Sequence, residues 1–313
     1  MKIVLTEATD PDALKILEAA GDVSQMHNFC QRELLSSLRD ADAVIVRAKA
    51  KLHGDLLRQC PLLRCVAKAG VGLDNIDLDT AAQLGIKVIS ASGLNANAVA
   101  EHTMALALAA WRRIVNNDHA VRNGQWWEVR DPQLIEAAGS TLGIVGFGNI
   151  GRRVAEIGLA LRMQVLACDV CHIPNLANQF GQKIQLASLE EVLSHADLLS
   201  LHVPLTEATQ HLIDARALSM MKPTAIVVNT SRGGVIDQAA LVTALRSHRL
   251  KAACLDVFEH EPLPPGDPLL GLHNVILSPH TAALTQQTFR SVALFIAREV
   301  VATLHQNQTS RVR

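Results

Sequence analysis

The chain has 313 residues, enough for two domains with separate cores, and its 49% hydrophobic and 19% charged residues describe an ordinary soluble globular protein. A formal net charge of −1 leaves no basic footprint for nucleic acid and no polybasic membrane signal, and no apolar run approaches membrane-spanning length. The six cysteines are scattered, and Cys168 and Cys171 form a C-x-x-C with no second pair to complete a zinc site; buried or incidental thiols in a reducing cytoplasm are expected, and no metal. Tyrosine is absent, which closes the reductase chemistries that use a tyrosine as proton donor.

The opening residues Met1–Glu7 are too short an apolar run for a signal peptide and read as a first strand, Lys2–Thr6. A helical pattern follows over Asp10–Gly21, with Asp10 as N-cap before Pro11 and Gly21 as the stop. Further strands are predicted at Ala43–Arg47, Arg64–Ala67 and Lys87–Ile89 with helical patterns between them, a βαβ series and hence a parallel sheet covered on both faces. Residues 98–115 predict one helix, too apolar to be a solvated linker. Residues 117–138 break the pattern with Asn-Gly and Asp-Pro turns, and the adjacent Trp126 and Trp127 point to a subunit interface or to a loop folded on its own domain. The alternation resumes with a strand at Thr141–Val145, a helix at Arg152–Leu161 and a strand at Met163–Cys168. Strands at Asp197–Val203, Thr224–Thr230, Lys251–Val257 and Asn274–Ser278 follow. A final helix carries Phe289, Val292, Ile296, Val300 and Leu304 at helical spacing.

Between the strand ending at Val145 and the helix lies Gly146-Phe147-Gly148-Asn149-Ile150-Gly151, the dinucleotide fingerprint G-x-G-x-x-G. The first glycine serves a tight turn, the second lets the backbone approach a pyrophosphate, and the third allows close packing of helix on strand. The helix N-terminus then faces the phosphates. Such a run alone also occurs in other glycine-rich turns; here a strand precedes it, and a second strand ends at Asp169 about 20 residues on. A carboxylate there accepts from an adenosine ribose and repels a 2′-phosphate, and Val170-Cys171-His172-Ile173 brings no arginine or lysine, so NAD is favoured over NADP. The alternative for Asp169 is an acid that merely caps a strand.

Three further strand ends carry groups able to do chemistry. Arg232, in Asn229-Thr230-Ser231-Arg232-Gly233-Gly234, could grip a carboxylate bidentately, or be a surface arginine in a turn. Asp256 and Glu261 lie in Asp256-Val257-Phe258-Glu259-His260-Glu261-Pro262, and Ser278-Pro279-His280 delivers a histidine. A histidine beside a carboxylate is a proton donor suited to neutral pH, though a lone one is more often a packing or surface residue. An anion clamp, a carboxylate and an acid–base group at strand ends of one nucleotide-binding domain form a candidate active site.

Taken in order, the fingerprint, Leu201-His202-Val203-Pro204-Leu205-Thr206, Asn229–Gly233, Leu255-Asp256-Val257-Phe258 with Glu261-Pro262, and Ser278-Pro279-His280 resemble the D-isomer-specific 2-hydroxyacid dehydrogenase family over essentially the whole chain. Ala69-Gly70-Val71-Gly72-Leu73-Asp74-Asn75-Ile76-Asp77 is similar to that family's substrate-domain loop. The resemblance implies two doubly wound α/β domains, a Rossmann NAD-binding domain (residues 99–284) inserted into a discontinuous flavodoxin-like substrate domain (1–98 plus 285–313). It implies hinges near 98 and 284 that let a cleft close and exclude water. It further implies that Arg232 binds the substrate carboxylate, that His280 donates a proton to the ketone oxygen as hydride arrives from NADH, and that Glu261 pairs with His280. The amides of Gly70, Val71 and Gly72 would hold the carboxylate from the other side of the cleft. Gly146, Gly148, Asn149, Ile150, Gly151, Asp169, Val203, Pro204, Thr230 and Asp256 would line the cofactor site, Asp256 near the nicotinamide amide. A homodimer is implied, with no nucleic-acid or membrane partner.

Within the family the chain is most similar to phosphoglycerate dehydrogenases, through Val46-Arg47-Ala48-Lys49-Ala50-Lys51 and the Gly70 loop. Arg47 could hold a remote phosphate, or be a surface residue at a strand end. The chain stops at residue 313 without the C-terminal regulatory domain that many biosynthetic phosphoglycerate dehydrogenases carry. Glyoxylate or hydroxypyruvate reduction, or another anionic 2-hydroxy acid, therefore stays open. Formate dehydrogenases carry glutamine where this chain has Glu261, which argues against that chemistry. An NAD-sensing scaffold like the C-terminal-binding-protein corepressors is the reading from another class.

Overall fold

The computed structural model describes residues 1–26, 29–170, 180 and 183–309, the side chains of 307–309 excepted. The chain forms two compact units, one of Met1–Asn95 with Leu284–Arg313 and one of Ala96–Ala283.

The first unit runs β1 (Lys2–Leu5), α1 (Pro11–Glu18), β2 (Asp22–Gln25), α2 (Gln31–Leu38), β3 (Ala43–Val46), α3 (Gly54–Arg58), β4 (Cys65–Lys68), α4 (Leu78–Gln83) and β5 (Lys87–Ser90). Its strands form a parallel sheet in the order β2-β1-β3-β4-β5. Central β3, Ala43-Val44-Ile45-Val46, is buried at every position, the continuous apolar run required of a strand covered on both faces. Edge strand β2 escapes sequence reading because Asp22-Val23-Ser24-Gln25 lacks an apolar alternation; its pairing with β1 defines it. Asp10 caps α1 by accepting from the Asp12 amide, and Pro11 opens the helix, as predicted. The helix ends at Glu18, short of Gly21. Gly21 answers a different need: a Cβ there would lie 2.3 Å from the Met1 carbonyl oxygen.

The second unit begins with α5 (Ala96–Trp111) and α6 (Ile114–Arg122). It continues with β6 (Thr141–Val145), α7 (Asn149–Ala160), β7 (Gln164–Cys168), β8 (Ile184–Leu186), α8 (Leu189–His195) and β9 (Leu198–Leu201). It closes with α9 (Ala215–Met220), β10 (Ile226–Asn229), α10 (Gln238–Arg246), β11 (Ala252–Leu255) and β12 (Val275–Leu277). Its parallel sheet has the order β12-β11-β10-β9-β6-β7-β8. One face buries Met104 and Trp111 of α5 with Val154 of α7 against Leu142 and Ile144; the other buries Val192, Leu218 and Leu241 of α8, α9 and α10. Two local predictions are corrected here. The single helix over 98–115 is two helices, because Arg113 takes a left-handed φ of 52° and turns the chain between α5 and α6. The stretch from 117 is helical to Arg122, and the Asn123-Gly124 pair is its C-terminal stop, with Gly124 at φ 78°. The short edge strand β8 was not predicted.

The last helix, α11 (Gln286–Thr309), returns to the first unit. Val292, Ile296, Val300 and Leu304 pack with Ile3, Leu5, Ala13 and Leu17 in one core, and Arg290 pairs with Asp12 at 2.7 Å. Phe289, expected on the same buried stripe, is only half-buried and lies under the Arg47 guanidinium, 4.9 Å from Cζ to ring centroid. Among the described cysteines, Cys60, Cys65 and Cys254 are buried, Cys30 and Cys168 are half-buried, and all are free thiols; Cys171 lies outside the described residues. No group of His, Cys, Asp and Glu among the described residues could hold a metal ion, and no described helix is long and apolar enough to cross a membrane.

Candidate functional site

All strands of the second unit run parallel, so their carboxyl ends share one edge. The fingerprint follows β6, Asp169 follows β7, Val203 and Pro204 follow β9, Arg232 follows β10, Asp256 follows β11 and His280 follows β12. The crossover direction reverses between β6 and its neighbour β9, the switch point where open α/β sheets bind ligands.

The three fingerprint glycines meet three different constraints. Gly146 sits at φ 92°, and a Cβ there would lie 2.6 Å from the His202 carbonyl oxygen and 2.9 Å from Val203 Cγ1, so the loops after β6 and β9 touch. Gly151 lies in the first turn of α7, where a Cβ would come 2.2 Å from the Gly146 carbonyl oxygen. Gly148 differs: it is exposed, and nothing lies within 4 Å of where a Cβ would be. Exposed Asn149 and half-buried Ile150 open α7 beside it. This open approach to the start of a helix fits a pyrophosphate. Asp169 is exposed at the end of β7, and its Oδ2 accepts from the Phe147 amide at 2.7 Å, joining this strand-end acid to the fingerprint loop. Of the residues following Asp169, 171–173 lie outside the described set.

The Arg232 loop is shaped by Asn229. Its buried amide donates to the Arg232 carbonyl at 2.9 Å and accepts from the Ser231 amide and hydroxyl at 3.0 and 2.8 Å. Gly233 is required by packing: a Cβ would fall 1.9 Å from the Phe258 carbonyl carbon, so the Arg232 and Phe258–Glu261 loops press backbone to backbone. The Arg232 side chain also donates to the Ser231 carbonyl at 2.7 Å. Thr230 is buried, its hydroxyl 2.9 Å from that of Thr103.

His280 Nδ1 and Glu261 Oε2 lie 2.7 Å apart, and Glu261 Oε1 accepts from the Phe258 amide at 3.1 Å. The hydrogen bond and charge of Glu261 hold the His280 pKa above the ordinary imidazole range, against burial and the Arg232 charge. Burial by itself raises the Glu261 carboxyl. The hydrogen bonds from His280 and the Phe258 amide, with the His280 and Arg232 charges, outweigh it and leave the pKa lowered. Arg232, Glu261 and His280 therefore act on one another electrostatically. With Nδ1 committed to Glu261, Nε2 is the ring atom left to exchange a proton with a substrate.

His280 itself sits at φ 54°, a left-handed conformation that costs a non-glycine residue about 1–3 kcal/mol. Asp256 holds it there. This carboxylate is fully buried; Oδ1 accepts from Ser278 Oγ at 2.6 Å and the Thr281 amide at 2.9 Å, and Oδ2 from the Ala282 amide at 2.8 Å. The Asp256 carbonyl accepts from the His280 amide at 2.8 Å. Asp256, expected beside the cofactor, thus has the His280 loop as its observed partner. Sequence reading missed His102 and Thr103 of α5, whose side chains reach Ser278 at 3.1 Å and Thr230 at 2.9 Å. The available signal was the polar run Glu101-His102-Thr103 inside a mostly apolar helix. It also missed His202, half-buried beside the fingerprint, bonded through Nε2 to Ser200 at 2.7 Å, its pKa pushed by desolvation down to about 3.

In the first unit, Gly70, Val71 and Gly72 follow β4, half-buried, and no protein acceptor among the described residues takes a hydrogen bond from their amides. Lys68 braces this loop by donating to the Arg47 carbonyl and, at 2.7 Å, to Asn75 Oδ1. Asn75 donates in turn to the Ala50 carbonyl at 2.6 Å. Arg47 is stacked on Phe289, as described above.

The family model described as D-isomer specific 2-hydroxyacid dehydrogenase, NAD binding domain, matches residues 104–282. The chain is 43% identical to a glyoxylate reductase of Aeropyrum pernix, over 96% of this chain and 92% of that protein. It is 38% identical to a D-3-phosphoglycerate dehydrogenase of Methanocaldococcus jannaschii, over 96% of this chain but only 57% of the relative's length. The structure of D-lactate dehydrogenase from Aquifex aeolicus, complexed with NAD and lactic acid, superposes with a TM-score of 0.86 at 29% identity, covering 98% of this chain and 96% of that one. This chain belongs to the D-isomer-specific 2-hydroxyacid dehydrogenases, NAD-dependent oxidoreductases that act on 2-hydroxy acids.

Proposed function

We propose that the protein reduces a small 2-keto acid, glyoxylate or hydroxypyruvate, with NADH. The His280–Glu261 pair carries this reading: a histidine with a carboxylate 2.7 Å from one ring nitrogen is a proton donor whose charged form the carboxylate favours. NADH, when bound, supplies the hydride. His280 holds the proton at Nε2 and passes it to the carbonyl oxygen as the carbonyl carbon gains the hydride; in oxidation the neutral ring takes the hydroxyl proton back. Glu261 orients the ring and stabilises the imidazolium. Arg232 grips the substrate carboxylate through its fork, and the amides of Gly70, Val71 and Gly72 also bind it. Gly146, Gly148, Asn149, Ile150 and Gly151 hold the pyrophosphate, Asp169 the adenosine ribose, and Val203, Pro204 and Thr230 the nicotinamide side, while the fully buried Asp256 holds the His280 loop. The first unit, with its last helix, is read as the substrate domain and the second as the nucleotide domain, with hinges near 98 and 284.

Kinetics with NADH and glyoxylate, hydroxypyruvate, phosphohydroxypyruvate and sulfopyruvate test the reading; absence of turnover across the panel refutes it. A second reading, 3-phosphoglycerate, is favoured by Arg47, whose guanidinium over Phe289 offers a fixed cation for a second anionic group. A kcat/KM highest for phosphohydroxypyruvate would select it. The scaffold alternative gives way to enzyme chemistry, since the named relatives are reductases and dehydrogenases. We also propose a homodimer in a reducing cytoplasm. Trp126 and Trp127 are 59% and 74% exposed, a large apolar area for a monomer to leave in water, and the described cysteines are free thiols. A monomeric mass in solution would refute the dimer.

A further inference from the structure

We propose that His102 is a positioning residue for the acid–base histidine, holding the His280 loop through Ser278 and Asp256 as a hydrogen-bond donor from Nε2. The inference rests on the reading of His280 as the acid–base group.

The direction of the chain follows from proton count. Asp256 Oδ1 accepts from the Thr281 amide at 2.9 Å and Oδ2 from the Ala282 amide at 2.8 Å, so both carboxylate oxygens act as acceptors. Ser278 Oγ, 2.6 Å from Asp256 Oδ1, therefore gives its single hydroxyl proton to the carboxylate. His102 Nε2 lies 3.1 Å from the same Oγ, which has only lone pairs left to offer, so Nε2 carries a proton and donates it to Ser278. His102 Nε2 is also 3.5 Å from Asp256 Oδ1, so its N–H points toward the one fully buried carboxylate in the site. The result is a directed relay from His102 to Ser278 to Asp256. Asp256 in turn fixes the amides of His280, Thr281 and Ala282 through its carbonyl and both carboxylate oxygens.

The relay acts where the backbone is under strain. His280 at φ 54° stays left-handed only while its surroundings over-determine it, and Asp256 supplies the bonds on both sides. The adjacent Thr103 hydroxyl lies 2.9 Å from Thr230 Oγ1, two residues before Arg232. Thr103 also donates to the Val99 carbonyl at 2.7 Å, which leaves its oxygen to accept from Thr230. Two consecutive residues of α5 thus brace the acid–base loop and the arginine loop from one helix.

The test compares His102→Leu, which removes the donor, with His102→Gln, whose side-chain amide can place an N–H near the Nε2 position. In His102→Leu, kcat should fall on the order of 10–10²-fold while KM for NADH moves less than about 2-fold, because a misplaced proton donor costs the chemical step and not nucleotide binding. His102→Gln should recover most of that loss. In the protein without nucleotide, amide hydrogen exchange at Thr281 and Ala282 should speed up in His102→Leu and return toward wild type in His102→Gln. Ser278→Ala alone should lower kcat like His102→Leu, and the double variant should be no worse than either, since both break one chain. An unchanged kcat in His102→Leu, a Gln variant as impaired as Leu, or losses that multiply in the double variant would overturn the proposal. If His102→Leu does not fold, Ser278→Ala and His102→Gln decide: wild-type kcat in Ser278→Ala overturns it. Inactive wild-type protein would count against the dehydrogenase reading, and the exchange measurement would still judge the relay.

Discussion

Gly148 and Gly151 sit three residues apart in one motif, yet the structure predicts opposite consequences for a single added methyl. In Gly151→Ala the Cβ would lie 2.2 Å from the Gly146 carbonyl oxygen and 3.2 Å from Ile144 Cγ2. Carbon and carbonyl oxygen normally keep about 3.3 Å apart, so the overlap is about 1 Å against backbone. Overpacking of this kind costs about 1–3 kcal/mol, offset by about 1 kcal/mol from replacing a helical glycine with alanine. A net loss of up to about 2 kcal/mol should lower Tm by up to about 8 °C for a unit of this size. In Gly148→Ala nothing lies within 4 Å of the new methyl, and φ −76° with ψ −155° is extended backbone open to alanine. The small cost of losing an N-cap glycine and the gain from a stiffer unfolded chain nearly cancel, leaving stability within about 0.5 kcal/mol. That methyl would occupy the open side where a pyrophosphate approaches, so the NADH Kd should rise at least about 10-fold, or about 1.4 kcal/mol. Calorimetric melts of the cofactor-free variants and NADH titration by fluorescence measure the two effects separately. Wild-type NADH affinity in Gly148→Ala would refute the placement of the phosphates.

His280→Ala should lower kcat by about 10²–10⁴-fold, the usual worth of a positioned acid; activity near wild type would remove His280 from the proton path. Because Glu261 holds the His280 pKa up, reduction is fully present below the ordinary imidazole range and is lost only as pH rises through the elevated value. Glu261→Gln removes the leading cause, so the alkaline limb of kcat for keto-acid reduction should move to lower pH; an unmoved limb would break the assigned pairing. Arg232→Lys should raise KM for the keto acid by about 10-fold or more, because an ammonium cannot reproduce the two-point fork. Asp169→Ala should relax discrimination against NADPH, and wild type using both nucleotides equally would void the ribose argument.

Much of the candidate site was legible because it lies in local grammar. The fingerprint glycines are spaced by what backbone and pyrophosphate require, and Arg232, Asp256 and His280 stand just past apolar strands. The misreadings share one cause. Edge strands β2 and β8 carry no apolar pattern strong enough to announce them, and exist through pairing with β1 and β7. The break at Arg113 interrupts a run whose composition reads as continuous helix. Phe289 keeps the helical spacing of its neighbours yet lies beneath Arg47 and not in the core, a position set by an unrelated strand end.

By itself, the sequence determined the alternation of strands and helices, the dinucleotide motif and the residues proposed as proton donor, its carboxylate and anion clamp. Each of these is fixed by residues within a few positions of one another, where propensity, glycine geometry and spacing act directly. The tertiary structure alone decided which groups meet: His102 reaches Ser278 across 176 residues, Thr103 reaches Thr230 across 127, and Glu261 reaches His280 across 19. Such partners are set by strand order and by which loops share the carboxyl edge of the sheet, and hydrogen bonds between them form only after the sheet has brought those loops together.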